Sequence, residues 1–148
     1  MRDATAFDEA VFLGLSRNSK REPYRLGLFA AHLLPDERAR ILLAVHGGTL
    51  VVTDRRVLEF RAHLEVHGAW NVKEFQGYEV RREWNDADVQ DVEHVVVPAS
   101  GDAHAVEDSL RLGLADRSES VLVSRGPEAT LPPEDFEALR AAILRQPK

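Results

Sequence analysis

The chain has 148 residues, and 19 basic against 25 acidic side chains give it a formal net charge of −6. A chain of this length is expected to form one domain, with room for an additional arm. Cysteine is absent, which excludes disulfides, thiolate metal sites and a cysteine nucleophile. The negative charge argues against non-specific binding of nucleic acid. Without a long apolar segment or a signal-peptide pattern, a cytoplasmic location is expected.

The first part of the chain is predicted to be helical. Phe7, Val11 and Leu15 recur at a spacing of four residues, which places them on one face of a first short helix. A Leu- and Ala-rich segment, residues 24–34, predicts a second short helix, because the following Pro35 cannot continue it. We therefore expect two short helices before the first strand.

From Ala39 onward the apolar residues change to the spacing typical of strands. Two apolar runs, residues 41–45 and 50–52, flank a Gly47-Gly48 pair and predict a hairpin, because glycine tolerates the backbone of a tight turn. The segment from Leu58 to Val66 alternates strictly between apolar and polar residues. It predicts a strand with one face in the core and the other in solvent.

The remainder of the chain is predicted to contain four further strands and a final helix. The strands are predicted near residues 78–84, 89–97, 110–114 and 121–123. About seven strands at hairpin spacing favour an antiparallel barrel or sandwich. The helix begins at Pro133, and we expect its apolar residues Phe136, Leu139 and Ile143 to cover the core face of the strand from Leu58 to Val66.

Three segments in this region follow a recognisable pattern. Residues 34–37, Leu-Pro-Asp-Glu, precede the glycine-containing turn, and residues 49–58 read Thr-Leu-Val-Val-Thr-Asp-Arg-Arg-Val-Leu. Residues 87–92 read Ala-Asp-Val-Gln-Asp-Val. Together these segments resemble the opening strands, the turn and a mid-sheet strand of bacterial pleckstrin-homology-like domains.

The resemblance implies a bent antiparallel barrel of about seven strands, capped by a C-terminal helix. It assigns residues 34–148 to that domain and leaves residues 1–33 as an N-terminal helical extension. The family usually binds rather than catalyses: some members bind lipid headgroups, and others bind proteins or self-associate. Members that bind phosphoinositides carry Lys and Arg around the first hairpin turn, whereas residues 46–49 here contain neither. We therefore expect a protein or peptide partner, or a second copy of the chain, and not an anionic lipid.

Four side chains are candidate binding residues: Arg55, Arg56, Arg61 and His63. The two adjacent guanidiniums suit a phosphate or carboxylate, but they equally suit pairing with nearby acidic residues at a turn. His63 is followed by His67, and on a strand four residues span about 13 Å. That distance is too large for one metal ion, so no metal and no cofactor are expected.

No catalytic residue is predicted. Carboxylates occur in pairs beside turns and helix starts, where backbone N–H groups account for them, and no serine lies in a nucleophile elbow. Residues 83–108 contain eight carboxylates and no Lys or Arg. We interpret this stretch as an unpaired acidic surface, which would repel an anionic membrane over about one Debye length, 8–10 Å.

An alternative class is a small cone-shaped enzyme or ligand carrier of the nuclear-transport-factor-like kind. Such a protein also begins with helices, and it would place polar groups such as His63, Trp84 and His94 inside an apolar pocket. It normally ends on strands, whereas this chain is predicted to end on a helix. The predicted ending therefore favours the non-enzymatic interaction module.

Overall fold

Eight strands and two α-helices make up residues 3–70, 72–101 and 103–144, the part of the chain that the computed structural model describes. In chain order they are β1 (Val11–Leu13), α1 (Pro23–Ala30), β2 (Ala39–Val45), β3 (Gly48–Thr53), β4 (Arg56–His67), β5 (Val72–Asn85), β6 (Asp91–Pro98), β7 (Val106–Gly113), β8 (Ser118–Gly126) and α2 (Pro133–Leu144). The expected β-rich architecture with a C-terminal helix is confirmed. Neither helix is long and apolar enough to cross a membrane.

The strands form two sheets, ordered β1-β2-β3-β4-β5 and β6-β7-β8. All neighbouring strands are antiparallel except β1, which runs parallel to β2. The predicted β2–β3 hairpin is confirmed. Its turn needs both glycines: Gly47 has a φ of +76°, and a Cβ on Gly48 would lie 2.1 Å from the Phe60 carbonyl oxygen.

The prediction of a first helix is wrong. A single 3-10 turn, Ala4–Phe7, is followed by the short strand β1. The three residues expected on one helical face do not share an environment, because Phe7 is buried while Val11 and Leu15 are 53% and 61% exposed. The helical spacing is overridden by hydrogen bonds to β2, a partner about thirty residues away in the sequence. The second helix is present as α1, but it ends at Ala30 rather than at residue 34.

The first sheet is buried on both faces at β2 and β3. Its inner face packs against the second sheet and α2, and we call this cluster the inner core. Its outer face packs against the N-terminal segment and α1, and we call this cluster the outer core. Because β2 and β3 contribute residues to both clusters, their sequences are continuous apolar runs rather than alternating ones.

The alternating face of β4 belongs to the outer core, not to the inner one. Leu58 and Phe60 are fully buried against the N-terminal segment and α1, whereas Leu139 and Ile143 of α2 lie in the inner core. The prediction that α2 covers the alternating face of this strand is therefore wrong. It assumed a sheet with one buried face, and the side of β4 that faces α2 contributes Val57 instead.

Contacts from β2 and from β5 to β8 join the two sheets. The backbone N–H of His46, just after β2, donates a 2.9 Å hydrogen bond to the carbonyl of Leu122 in β8. The guanidinium of Arg82 in β5 donates to the carbonyl of Ser120 in β8 at 3.0 Å and pairs with Glu59 of β4 at 2.5 Å. The Arg82 side chain therefore lies between the two sheets.

Two matched substitutions on the alternating face of β4 test how far the N-terminal segment covers it. We expect Leu58→Ala, which empties a fully buried position, to lower the free energy of unfolding by about 2–5 kcal/mol. We expect Leu64→Ala, on the same face but half exposed, to lower it by at most about 1 kcal/mol. Urea unfolding measures both, and equal losses would contradict the described cover.

Candidate functional site: the β4–β5 hairpin

The longest hairpin of the protein continues past the end of its packed region. Its strands pair from Arg56 opposite Asn85 to His67 opposite Val72. Directly opposite residues of an antiparallel ladder share a face, so the register assigns each side chain to one of two faces. The outer face carries what we call the outer stripe: Ala62, Leu64, Val66, Phe75 and Tyr78.

The outer stripe continues the outer core. The ring of Tyr78 stacks on that of Phe29 at 4.0 Å between centroids, and the Phe75 ring meets Tyr78 edge-on at 5.2 Å. The Tyr78 hydroxyl accepts a hydrogen bond from Arg25 of α1 at 3.1 Å. Beyond these contacts the cover ends, and Leu64 is 49%, Val66 57% and Phe75 43% exposed.

The tip of the hairpin is also apolar and exposed. Trp70 in the turn is 89% exposed, and Val72 at the start of β5 is 57% exposed. Isolated surface hydrophobics are ordinary, but a contiguous apolar patch bordered by polar groups marks an interaction site. The outer stripe and Trp70 in the turn together form such a patch, whereas Val72 stands directly opposite His67 and therefore lies on the inner face.

The inner face of the same hairpin is charged. We call this row the charged ladder: Arg61, His63, Glu65, His67, Glu74 and Glu79. Arg61 donates to Glu79 at 2.7 Å, and this hydrogen bond is the largest cause that holds the pKa of Glu79 below its usual value. His67 lies 3.1 Å from Glu74 and 3.5 Å from Glu65, two carboxylates that stand directly opposite each other. With neutral histidines the ladder carries three negative charges and one positive charge.

The four candidate binding residues lie in two separate places. Arg61 and His63 belong to the charged ladder, where both contact Glu79. Arg55 ends the β3–β4 turn and Arg56 begins β4, at the other end of that strand. Each of these two arginines is paired with an acidic residue, as the second of the two interpretations of this turn predicted. Arg55 meets Asp36 at 2.7 Å.

Arg56 is held by a buried carboxylate. Glu37, fully buried, accepts hydrogen bonds from Arg56 at 2.6 and 3.0 Å, from the Thr53 hydroxyl at 2.6 Å and from the Leu34 N–H at 3.0 Å. Arg56 also donates to Glu83 at 3.1 Å. The motif that suggested an anion site therefore connects the segment before β2 to the β3–β4 turn.

The environment of Glu37 sets its protonation. Burial by itself would raise the pKa of this carboxyl, but the hydrogen bonds from Arg56, Thr53 and Leu34, with the charge of Arg56, outweigh burial and hold the pKa below its usual value. The same carboxylate is the largest cause that raises the pKa of Arg56. Both groups are therefore charged at neutral pH, and neither is available as a general acid or base.

The interpretation of residues 83–108 as an unpaired acidic surface is wrong. Four of the carboxylates in this stretch meet an arginine from elsewhere in the chain, Glu83 with Arg56, Asp91 with Arg140, Glu93 with Arg111 and Glu107 with Arg125, and a fifth, Asp108, contacts His94. Asp102, in the same stretch, lies outside the described residues. The pairing partners lie on neighbouring strands or on α2, so a count along the sequence could not find them.

The three residues that the ligand-carrier alternative placed in one apolar pocket lie in three different places. His63 is on the charged ladder, Trp84 lies in the inner core, and His94 stacks on Phe136 at 5.2 Å and contacts the buried Asp108 at 2.6 Å. Asp108 also accepts from the N–H groups of Thr130 and Leu131, both at 2.9 Å. These contacts hold the segment that leads into α2.

Two open clefts lie beside the turn between β5 and β6. One, of about 430 Å³, is lined by Glu83, Trp84 and residues 114–117, and the other, of about 890 Å³, is lined by Asp54, Arg55 and the end of α2. Both are bordered by Ala87, Asp88 and Gln90. Among the described residues, no group of three His, Asp or Glu side chains is arranged to hold a metal ion.

The sequence pattern predicted the β4 strand but did not predict the outer stripe and the charged ladder on its two faces. The alternation from Leu58 to Val66 was visible, and so were the four polar residues between them. The signal that was available is the length of the alternation, because twelve residues of β4 exceed the five or six of an ordinary strand. Comparison with protein-family models, with curated proteins and with solved structures finds no match to this chain.

Removing the charge of Glu37 tests the buried pair. The lowered pKa means that the unfolded chain binds a proton more readily, so the stability from Glu37 is present above its ordinary pKa of 4.5 and is lost as the pH falls through the folded value. We expect Glu37→Gln to cost about 3 kcal/mol at pH 7 and less as the pH falls below 4.5. Chemical unfolding of both proteins from pH 7 to pH 3 measures this, and a loss that is constant across the range would contradict it.

Proposed function

We propose that this chain is a non-enzymatic pleckstrin-homology-like interaction module that binds a protein partner through the outer stripe. The order of elements supports the proposal. Four successive antiparallel strands, β2 to β5, are followed by a three-stranded antiparallel sheet and a C-terminal helix that packs in the core between the sheets. The N-terminal segment adds β1 to the edge of the first sheet and covers its outer face.

The exposure of the outer stripe carries the proposal. A two-stranded ribbon without a covering layer is marginally stable in water, and here its apolar face is continuous with a buried core but is not covered beyond Phe75. Because Leu64 and Val66 are about half exposed on this face, they stabilise the isolated protein less than buried residues would. A partner that covers them would account for this arrangement.

The magnitudes indicate what such a partner must provide. Burying the exposed half of each of Leu64, Val66 and Phe75 contributes about 1 kcal/mol per side chain, and burying Trp70 contributes about 2 kcal/mol, or about 5 kcal/mol in all. Association costs at least about 4 kcal/mol in lost translation and rotation. The apolar contacts alone therefore only balance that cost, and a stable complex needs additional contacts from the same surface.

The proposal does not assign lipid binding to the arginines. The turn of the β2–β3 hairpin carries no Lys or Arg, and Arg55 and Arg56 are engaged with Asp36 and Glu37. A phosphate headgroup would have to displace these carboxylates. If the protein binds vesicles that contain anionic lipid, and if Arg55→Glu abolishes this binding, the result would support lipid binding and contradict a protein partner.

Site-specific photo-crosslinking in the cell that makes the protein tests the proposed surface. A photoreactive amino acid replaces Val66 in the stripe and, as a matched control, Leu15, which is equally exposed on the N-terminal segment. We expect a discrete adduct to another protein from position 66 and none from position 15. A second substitution, Phe75→Glu, should remove the adduct because it places a charge in the centre of the stripe.

Two results would contradict the proposed function. One is an equal adduct pattern from both positions, and the other is an adduct from position 66 that survives Phe75→Glu. Light scattering on the purified protein is measured in parallel, so that an adduct between two copies of the chain is recognised as self-association. Unfolding curves for the Phe75→Glu protein establish that it remains folded.

A further inference from the structure

We infer that the partner presents an extended strand that pairs with the open edge of β5 over residues 72–76, with apolar side chains on the outer face and basic side chains on the inner face. This inference rests on the proposed function and names the chemistry of its partner. Main-chain hydrogen bonds along the strand edge are the additional contacts that the outer stripe alone does not supply.

The edge of β5 is open. β5 is the last strand of the first sheet, and within the described residues no strand pairs with its second side. All five residues from Val72 to Gln76 are exposed. A sheet edge carries a row of N–H and C=O groups that pair readily with another extended chain.

The length of the open edge is limited by the irregularity that follows it. The β4–β5 register shifts between the Leu64–Phe75 and Ala62–Tyr78 pairs, where Gly77 adopts a φ of +91°. At that point the Tyr78 carbonyl also contacts the His32 ring at 2.8 Å. A bulge interrupts strand pairing, so a partner strand is confined to the segment before Gly77.

The two faces of this segment specify the side chains of the partner. On the outer face, the partner's side chains would continue the apolar row beside Phe75. Lys73 lies on this face too, so a basic side chain next to it would be repelled. On the inner face, the partner's side chains would lie beside Glu74. Glu74 stands directly opposite Glu65, and His67 contacts both carboxylates.

Charge complementarity therefore favours basic residues on the inner face only. Glu65 and Glu74 are two carboxylates that stand directly opposite each other and both contact His67, and like charges directly opposite each other are unfavourable. A Lys or Arg from the partner would relieve that repulsion. A second copy of the same strand fits less well, because symmetric antiparallel pairing about Glu74 would place Glu74 opposite Glu74.

Another strand edge that shows exposed apolar residues is β6, and it is a weaker candidate. β6 ends at Pro98, which has no N–H to donate, and α2 packs against it. Its exposed residues Val96 and Val97 are consecutive, so they lie on opposite faces. On β5 the outer face of the open segment carries Phe75 and Lys73, and the inner face carries Glu74 and Val72, with Glu65 of β4 directly opposite Glu74.

A designed peptide tests the inference on the full-length protein. The probe is a fluorescent peptide of about seven residues with alternating lysine and valine, and fluorescence anisotropy measures its dissociation constant. We expect binding by this peptide and none by the matched peptide in which glutamate replaces lysine. A block peptide of the same composition, with all lysines before all valines, should bind at least about fivefold more weakly, because it cannot separate the two faces.

Backbone methylation separates edge pairing from adhesion to the apolar face. Alternate residues of an extended peptide point their N–H groups to opposite edges. Methylating the backbone nitrogens of the valine residues blocks one edge of the peptide, and methylating the backbone nitrogens of the lysine residues blocks the other. We expect one of the two methylated peptides to lose about tenfold in affinity and the other to bind nearly as well as the parent. Equal affinities would overturn the inference.

A pair of charge reversals locates the peptide on the protein. Glu74→Lys should weaken binding by about fivefold, whereas Glu93→Lys on β6, at a similarly exposed position, changes the net charge equally and should have less than about a twofold effect. Amide hydrogen exchange should slow in residues 72–76 when the peptide is bound. Slowing on β6 instead, or equal effects of the two reversals, would contradict the inference.

Failure of the strand inference can be distinguished from failure of the proposed function. If the crosslink from position 66 depends on Phe75 but the alternating peptide does not bind, the outer stripe is a docking surface and the strand inference is wrong. If neither is observed, both are wrong. If the purified chain self-associates through position 66, the partner is a second copy and the basic-strand inference is overturned.

Discussion

The apolar face of β4 is longer than the segment that covers it, and this mismatch organises the rest of the structure. Over Leu58 and Phe60 the face is closed by the N-terminal segment and α1. From Leu64 outward the same face is open. Because side chains on a strand alternate strictly between its faces, the chain cannot hide these residues by rotating the strand without exposing Phe60. The hairpin therefore projects with its apolar side uncovered.

The cover itself depends on polar contacts that fix the N-terminal segment and the strand turns. Asp135 of α2 accepts a 2.9 Å hydrogen bond from the Gly14 N–H and pairs with Arg17. Glu37, fully buried, fixes the β3–β4 turn where β4 begins. Both carboxylates join segments distant in sequence. A partner that binds the hairpin thus meets a ribbon whose base is rigidly held and whose tip is not packed.

Local patterns in the sequence predicted what local physics determines. The turn at Gly47, the strand from Leu58 and the helix that starts at Pro133 each depend on neighbouring residues, and all three are present. Non-local pairing could not be predicted. β1 forms only because β2 lies beside it, and the role of Glu37 requires Arg56, at the start of β4, to fold against it. The outer stripe could not be assigned for the same reason, since alternation reveals a face but not what covers it.

Solvent access to the outer stripe inside the cell tests the central claim most directly. The chain has no cysteine, so a single cysteine in place of Leu64, or of the exposed control Leu15, reports the accessibility of that position alone. We predict that a membrane-permeant maleimide labels both positions at similar rates in the purified protein, and that in cells position 64 is labelled several-fold more slowly than position 15. Equal labelling of the two positions in cells would show that nothing covers the stripe and would contradict the account.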